Sequence, residues 1–282
     1  MSRTTKVPAQ REKEFSVPEV APHRGARAYA AFAGIGLAAG LLSGMFGVGG
    51  GTVVVPLLVL FAAFDQRRAA GTSLAAIVPT ATIGVISYAV LGDVAWVPAL
   101  VLAAGAIVGA QIGTRLLPRV SQSALRWGFV AFLLVVIVSL FLVVPARDAA
   151  LEVGWASGLA LVALGMGTGV VSGLIGVGGG IVVVPFLMLV FGASDLVAKG
   201  TSLLMMIPAA LSGTFGNLRT GNVEILPAVT IGAAACTTTA VGAWIATIVD
   251  PAVGNALFAV FLVVIAIQMA VKAVRGRRPR AS

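Results

Sequence analysis

Apolar runs at or near bilayer-spanning length recur from Ala28 to Val271, and they leave the chain few ways to fold. About 20 apolar residues make one helical crossing of a hydrocarbon layer. Only 10% of the 282 residues are charged and the mean hydropathy is +1.06, whereas an ordinary soluble domain carries about 25% charged residues. No aqueous surface can be built from that inventory. The runs are rich in Ala, Leu, Val and Gly and have helical lengths, which predicts an all-α polytopic membrane protein rather than a barrel.

The net charge of +9 does not point to nucleic acid, because the basic residues gather in the two tails. Basic tails beside apolar spans are the ordinary orientation signal of membrane proteins. Cys236 is the only cysteine, so no intrachain disulfide forms, and no Cys/His cluster suggests a metal or another cofactor. Cys236 reads as a packed thiol and His23, the only histidine, as a solvated tail residue. Residues 1–27 lack the apolar core and cleavage site of a secretory signal and read as a retained tail.

Sliding the sequence on itself by 129 positions aligns Gly40–Gly113 with Gly169–Gly242 without a gap, and about 30 of the 74 pairs are identical. GLLSGMFGVGGGTVVVP is answered by GVVSGLIGVGGGIVVVP. Gly71-Thr72-Ser73-Leu74 is answered by Gly200-Thr201-Ser202-Leu203. Each copy holds about five apolar segments, at 28–46, 52–64, 72–91, 95–117 and 124–145, then 156–175, 181–193, 201–218, 226–248 and 253–273. The second of each set is about 13 residues, or roughly 20 Å as helix against a core of about 30 Å. It reads as a half-helix entered through the glycine break, since each glycine disfavours helix by about 1 kcal/mol.

With a cytoplasmic N-terminus, the loops at Arg67/Arg68, at Arg115/Arg119/Arg126 and at Arg219 face inside with both tails. Arg147 and Lys199 are then the only basic residues outside. Each copy makes an odd number of crossings, so the second copy is inverted. The expected organisation is a basic cytoplasmic tail (1–27), membrane repeat 1 (28–146), an extracytoplasmic linker (147–155), inverted membrane repeat 2 (156–274) and a second basic cytoplasmic tail (275–282).

Inverted repeats with broken helices belong to secondary transporters, with substrate held near the midplane at the repeat interface. A helix that begins inside the membrane presents unpaired N–H groups and about half a positive charge, and such ends bind anions. The candidate substrate-binding set therefore combines Gly47, Gly49, Gly50 and Gly51 with Gly176, Gly178, Gly179 and Gly180. Thr72, Ser73, Thr201 and Ser202 fit helix N-caps, where a hydroxyl satisfies backbone donors or faces a ligand. Ser43 and Ser172, about one turn before the breaks, either join the site or only pack. Lys199, whose repeat mate is Ala70, is placed either to draw an anion to the outer mouth or to snorkel to lipid headgroups. Tyr88 and Gln111 read as packing or interfacial residues.

No catalytic constellation is present, so no enzyme is expected. GVGGGT lacks the third glycine of a dinucleotide loop and no GK[ST] follows it, which leaves no nucleotide-driven pump on this chain. The carboxylates outside the tail stand at segment ends, at Asp65, Asp93, Asp148, Glu152, Asp195, Glu224 and Asp250. Their absence from mid-span favours an anionic or neutral substrate over a metal cation. The expected partners are the lipid bilayer, a small anion and a coupling ion, H⁺ or Na⁺. A homodimer stays open.

At the doubled GxxxGxxGVGGGxxxVP and GTSL motifs the chain resembles the sulfite exporter TauE/SafE family of membrane permeases, of the toluene sulfonate uptake permease type. The resemblance spans about residues 28–274. It implies transport of a sulfur-containing anion, such as sulfite or an organosulfonate, across the cytoplasmic membrane of a prokaryote, with no fixed direction. Relatives often carry a basic cluster between the third and fourth segments. This chain has only Leu91-Gly92-Asp93 there, and a single Arg219 in the second copy, so its selectivity is expected to differ. A passive anion channel, or a carrier of another small solute, is the alternative.

Overall fold

The computed structural model describes residues 25–142 and 154–275. His23, most of both tails and most of the linker lie outside the described residues. Ten α-helices follow in order: α1 (Ala26–Phe46), α2 (Gly51–Phe61), α3 (Gln66–Val90), α4 (Trp96–Leu116), α5 (Gln122–Leu142), α6 (Trp155–Ile175), α7 (Gly180–Phe191), α8 (Asp195–Arg219), α9 (Ile225–Ile248) and α10 (Pro251–Arg275). A 3₁₀ turn at Leu117–Arg119 joins α4 to α5. Among the described residues there is no strand, and seven helices are long and apolar enough to cross a membrane. Large apolar side chains such as Phe61, Trp155 and Trp244 remain exposed around the outside, Trp155 at 95%. That surface suits lipid rather than water.

α2 and α7 have 11 and 12 residues, hence about 17 Å of helix, well short of a bilayer core. The predicted half-helices are present. Two segment starts differ from expectation. α3 begins at Gln66 instead of 72, and α8 at Asp195 instead of 201. The caps explain why: the Asp65 carboxylate accepts the N–H groups of Arg67 and Arg68, and the Ser194 hydroxyl accepts that of Val197. Each cap satisfies donors that a helix start leaves open and adds a polar first turn that hydropathy does not register. Thr72, Ser73, Thr201 and Ser202 are therefore not N-caps, because they lie about two turns inside their helices.

The helices pair across the copies. A methyl on Gly36, Gly40 or Gly44 of α1 would collide with the carbonyls of Ile231, Ala235 or Thr239 on α9. Both series rise together, so α1 and α9 run parallel with their backbones in contact. α4 and α6 repeat the arrangement, with Gly105, Gly109 and Gly113 against Val162, Met166 and Val170. Stripes of small residues allow this approach. The equivalent helices α3 and α8 meet at the centre in the opposite sense. Gly84 faces Leu203 while Gly213 faces Leu74, so these two run antiparallel. α2 packs on α3, α7 on α8, and α5 on α10.

Candidate glycine-loop site

Each glycine loop begins where a long helix ends. The Gly47 N–H donates to the Ser43 carbonyl at 2.9 Å, and the Gly176 N–H to the Ser172 carbonyl at 2.7 Å. The chain then turns through left-handed backbone at Gly47, Gly49 and Gly50 (φ 67°, 69° and 75°) and again at Gly176, Gly178 and Gly179 (φ 81°, 87° and 84°). Residues with a Cβ enter that region at a cost of about 1–2 kcal/mol each. Gly50 and Gly179 serve as N-caps of α2 and α7, with no side-chain cap.

The last glycine of each run is needed for a different reason. A methyl on Gly51 would lie 2.7 Å from the Gly176 carbonyl oxygen, and one on Gly180 would lie 2.6 Å from that of Gly47. The N-terminus of each half-helix thus rests against the loop of the other copy. Ser73 Oγ donates to the Gly176 carbonyl at 2.8 Å, and Ser202 Oγ to the Gly47 carbonyl at 2.5 Å. Thr72 Oγ1 accepts the N–H of Glu224, the N-cap of α9, while Thr201 Oγ1 accepts that of Ala95, the N-cap of α4, both at 3.0 Å. The two GTS motifs are therefore crossed fasteners between the copies.

The two GTS serines reach these loops, whereas Thr72 and Thr201 are spent on the starts of α9 and α4. Between the loops stand Ile77 and its repeat mate Met206, both buried. A methyl on Gly178 would lie 2.8 Å from Met206 Cε and 3.1 Å from Ile77 Cδ1, and one on Gly49 would also strike Met206. Ser43 and Ser172 are fully buried, and their hydroxyls have no hydrogen-bond partner. The same holds for Thr52 in the first turn of α2, which the sequence reading did not single out. Buried hydroxyls left without a partner are rare and carry a desolvation penalty.

Lys199 does not stand at an open mouth. It is 8% exposed, and its Nζ lies 3.0 Å from Oδ2 of Asp195, itself 2% exposed. Tyr88 is buried and donates its hydroxyl to the Gly44 carbonyl at 2.6 Å. Gln111 joins α4 to α8 through the Ser212 carbonyl and hydroxyl. Asp93, in the α3–α4 connection, has its carboxyl pushed above the usual range by burial and by the neighbouring Asp195 carboxylate. Asp195 had no signal from hydropathy, although its spacing of four to Lys199 on a helix is that of an ion pair.

A family model described as Sulfite exporter TauE/SafE matches residues 5–140 and 161–282. A probable membrane transporter protein of Haemophilus influenzae is 30% identical over 257 residues, covering 84% of this chain and 96% of that one. The probable membrane transporter protein YunE of Bacillus subtilis is 26% identical over 220 residues, covering 70% and 81%. YdhB of the same species, likewise a probable membrane transporter protein, is 28% identical over 188 residues, covering 66% and 77%. No solved structure matches. Both glycine loops and both serine fasteners fall within the matched stretches, and the chain belongs to the sulfite exporter TauE/SafE family of multi-pass membrane transporters.

Proposed function

We propose that the protein is a secondary transporter that moves a small sulfur-containing anion, such as sulfite or an organosulfonate, across the cytoplasmic membrane of a prokaryote. It carries out no chemical step of its own. The anion is held where the two glycine loops meet, by the N-terminal N–H groups of α2 and α7 and by nearby hydroxyls. The observation that carries this reading is the trio of Ser43, Ser172 and Thr52, buried hydroxyls without partners beside two half-helix N-termini. Oriented backbone dipoles with unspent polar groups suit an anion better than a cation. Met206 would have to yield the space, and an unbranched thioether side chain repacks readily.

In this reading residues 28–146 and 156–274 are inverted membrane repeats with both basic tails in the cytoplasm. The antiparallel run of α3 and α8, equivalent helices of the two copies, supports the inversion. The test is counterflow in proteoliposomes with sulfite, thiosulfate, sulfate, sulfoacetate and taurine at equal ionic strength. Trans-stimulated exchange of one or more probes is expected, reduced at least tenfold by Ser43→Ala/Ser172→Ala. Conductance without trans-stimulation would make the protein a channel. Stabilisation by sodium alone, with no anion exchanged, would remove the anion reading.

A further inference from the structure

Four positions around the first glycine loop differ in kind from their repeat mates. A methyl on Gly47 would lie 2.6 Å from Lys199 Cα, so this loop rests directly on the residue paired with Asp195. Asp195 is buried, and while its Oδ2 holds the Lys199 ammonium, its Oδ1 has no hydrogen-bond partner. Tyr88 approaches from α3 with its hydroxyl committed to Gly44, and Asp93 approaches from the α3–α4 connection. In the other copy the equivalent positions of Asp195, Lys199, Tyr88 and Asp93 are Gln66, Ala70, Asn217 and Asn222. These four positions are ionisable around the Gly47 loop, whereas their mates around the Gly176 loop are neutral.

A buried ion pair is held together by mutual neutralisation, and removing one partner leaves an uncompensated charge. An anion arriving at the Gly47 loop competes with Asp195 for the ammonium beside it. Resting on the anion-transport reading above, we infer that Asp195 is the proton-coupling site, taking up one proton from solution as Lys199 turns to the anion. The balance is simple. A carboxylate and an ammonium, with one anion and one proton in water, become a carboxylic acid and an ammonium–anion pair. For a singly charged anion the loaded site carries the same net charge as the empty one, so moving it through the low-dielectric interior adds no buried charge. The raised affinity of Asp93 for a proton, from burial and from the Asp195 carboxylate, fits a cluster in which two carboxylates resist joint ionisation. By linkage, the anion raises proton affinity at Asp195 by the factor by which a proton raises anion affinity.

The test uses the full-length protein and methanesulfonate, a singly charged organosulfonate that takes up no proton near neutral pH. Infrared difference spectra recorded with minus without the anion at about pH 6 should show a new protonated carboxyl band. That anion-induced band should be missing from Asp195→Gln/Lys199→Ala, which retains Asp93. That double variant copies Gln66 and Ala70, a pairing already packed in the first copy. Absence of the anion-induced band in the unaltered protein overturns the inference, as does its persistence in the variant. In proteoliposomes held at zero membrane potential, each unit of inward proton gradient should drive about tenfold accumulation for one proton per anion. Exchange that ignores the gradient overturns coupling. An anion-induced band at Asp195 in a protein that exchanges neither methanesulfonate nor any of the panel anions overturns the transport reading instead.

Discussion

The hydroxyl of Ser202 donates to the carbonyl of Gly47, 155 positions earlier in the chain, and Ser73 makes the same bond to Gly176 in the opposite direction. Removing either serine hydroxyl leaves a buried carbonyl unsatisfied, at about 1–3 kcal/mol. Ser73→Ala and Ser202→Ala should each lower the thermal midpoint in detergent. The double variant should lose less than the sum if the two bonds act as one fastener, and a thermal double-mutant cycle measures that coupling.

Glycine substitutions should separate backbone conformation from crowding. Gly221 has φ 68° with open space around it, so Gly221→Ala should cost only the left-handed penalty of about 1–2 kcal/mol. Gly47→Ala meets the same penalty and also the backbone of Lys199, and Gly176→Ala meets that of Ala70. Both should sharply reduce the yield of folded protein by size-exclusion profile, while Gly221→Ala is recovered normally.

Ala63 holds φ 57° at the end of α2, where its repeat mate Gly192 holds φ 65°. A methyl in that region is strained, and Ala63→Gly should raise stability by about 1 kcal/mol despite the greater freedom it gives the unfolded chain. Gly192→Ala should do the reverse. Paired thermal denaturation curves check both signs.

The Asp93 carboxyl is held above its usual range in the folded protein. A carboxyl shifted upward favours folding when protonated. That contribution is complete below the unfolded carboxylate value of about 4 and is lost as pH rises through the folded value. At neutral pH the ionised group is therefore a burden. Asp93→Asn, which copies the mate Asn222, should raise the thermal midpoint at pH 7.5 and match the unaltered protein as pH falls toward about 4.

Much of this was legible in the residues themselves, for definite reasons. The glycine loops announce a break because left-handed backbone and close approach both demand glycine, and the doubled copy confirms their spacing. The starts of α3 and α8 were hidden because their first turns are polar and their caps, Asp65 and Ser194, differ between copies. The roles of Ser73 and Ser202 were hidden because their partners lie 103 and 155 positions away. A threonine and a serine in a helical run read as local caps, and one sequence holds no trace of a crossed bond. Asp195 looked like a loop-end carboxylate until the cap at Ser194 moved the helix start in front of it.

α1 finds the groove that buries its glycines on α9, and α6 finds its own on α4. Neither copy can complete itself. Made alone, the first would show lipid a bare stripe of small residues and an unmet carbonyl at Gly47. The molecule is a two-subunit assembly whose subunits share one chain, and severing it within residues 143–153 should spare function when both pieces are made together. If the two copies are inverted, as proposed above, a half-length ancestor making the same contacts with a second copy of itself would have had to insert into the membrane in both directions. The antiparallel meeting of α3 and α8 is the contact that such an ancestor would leave behind.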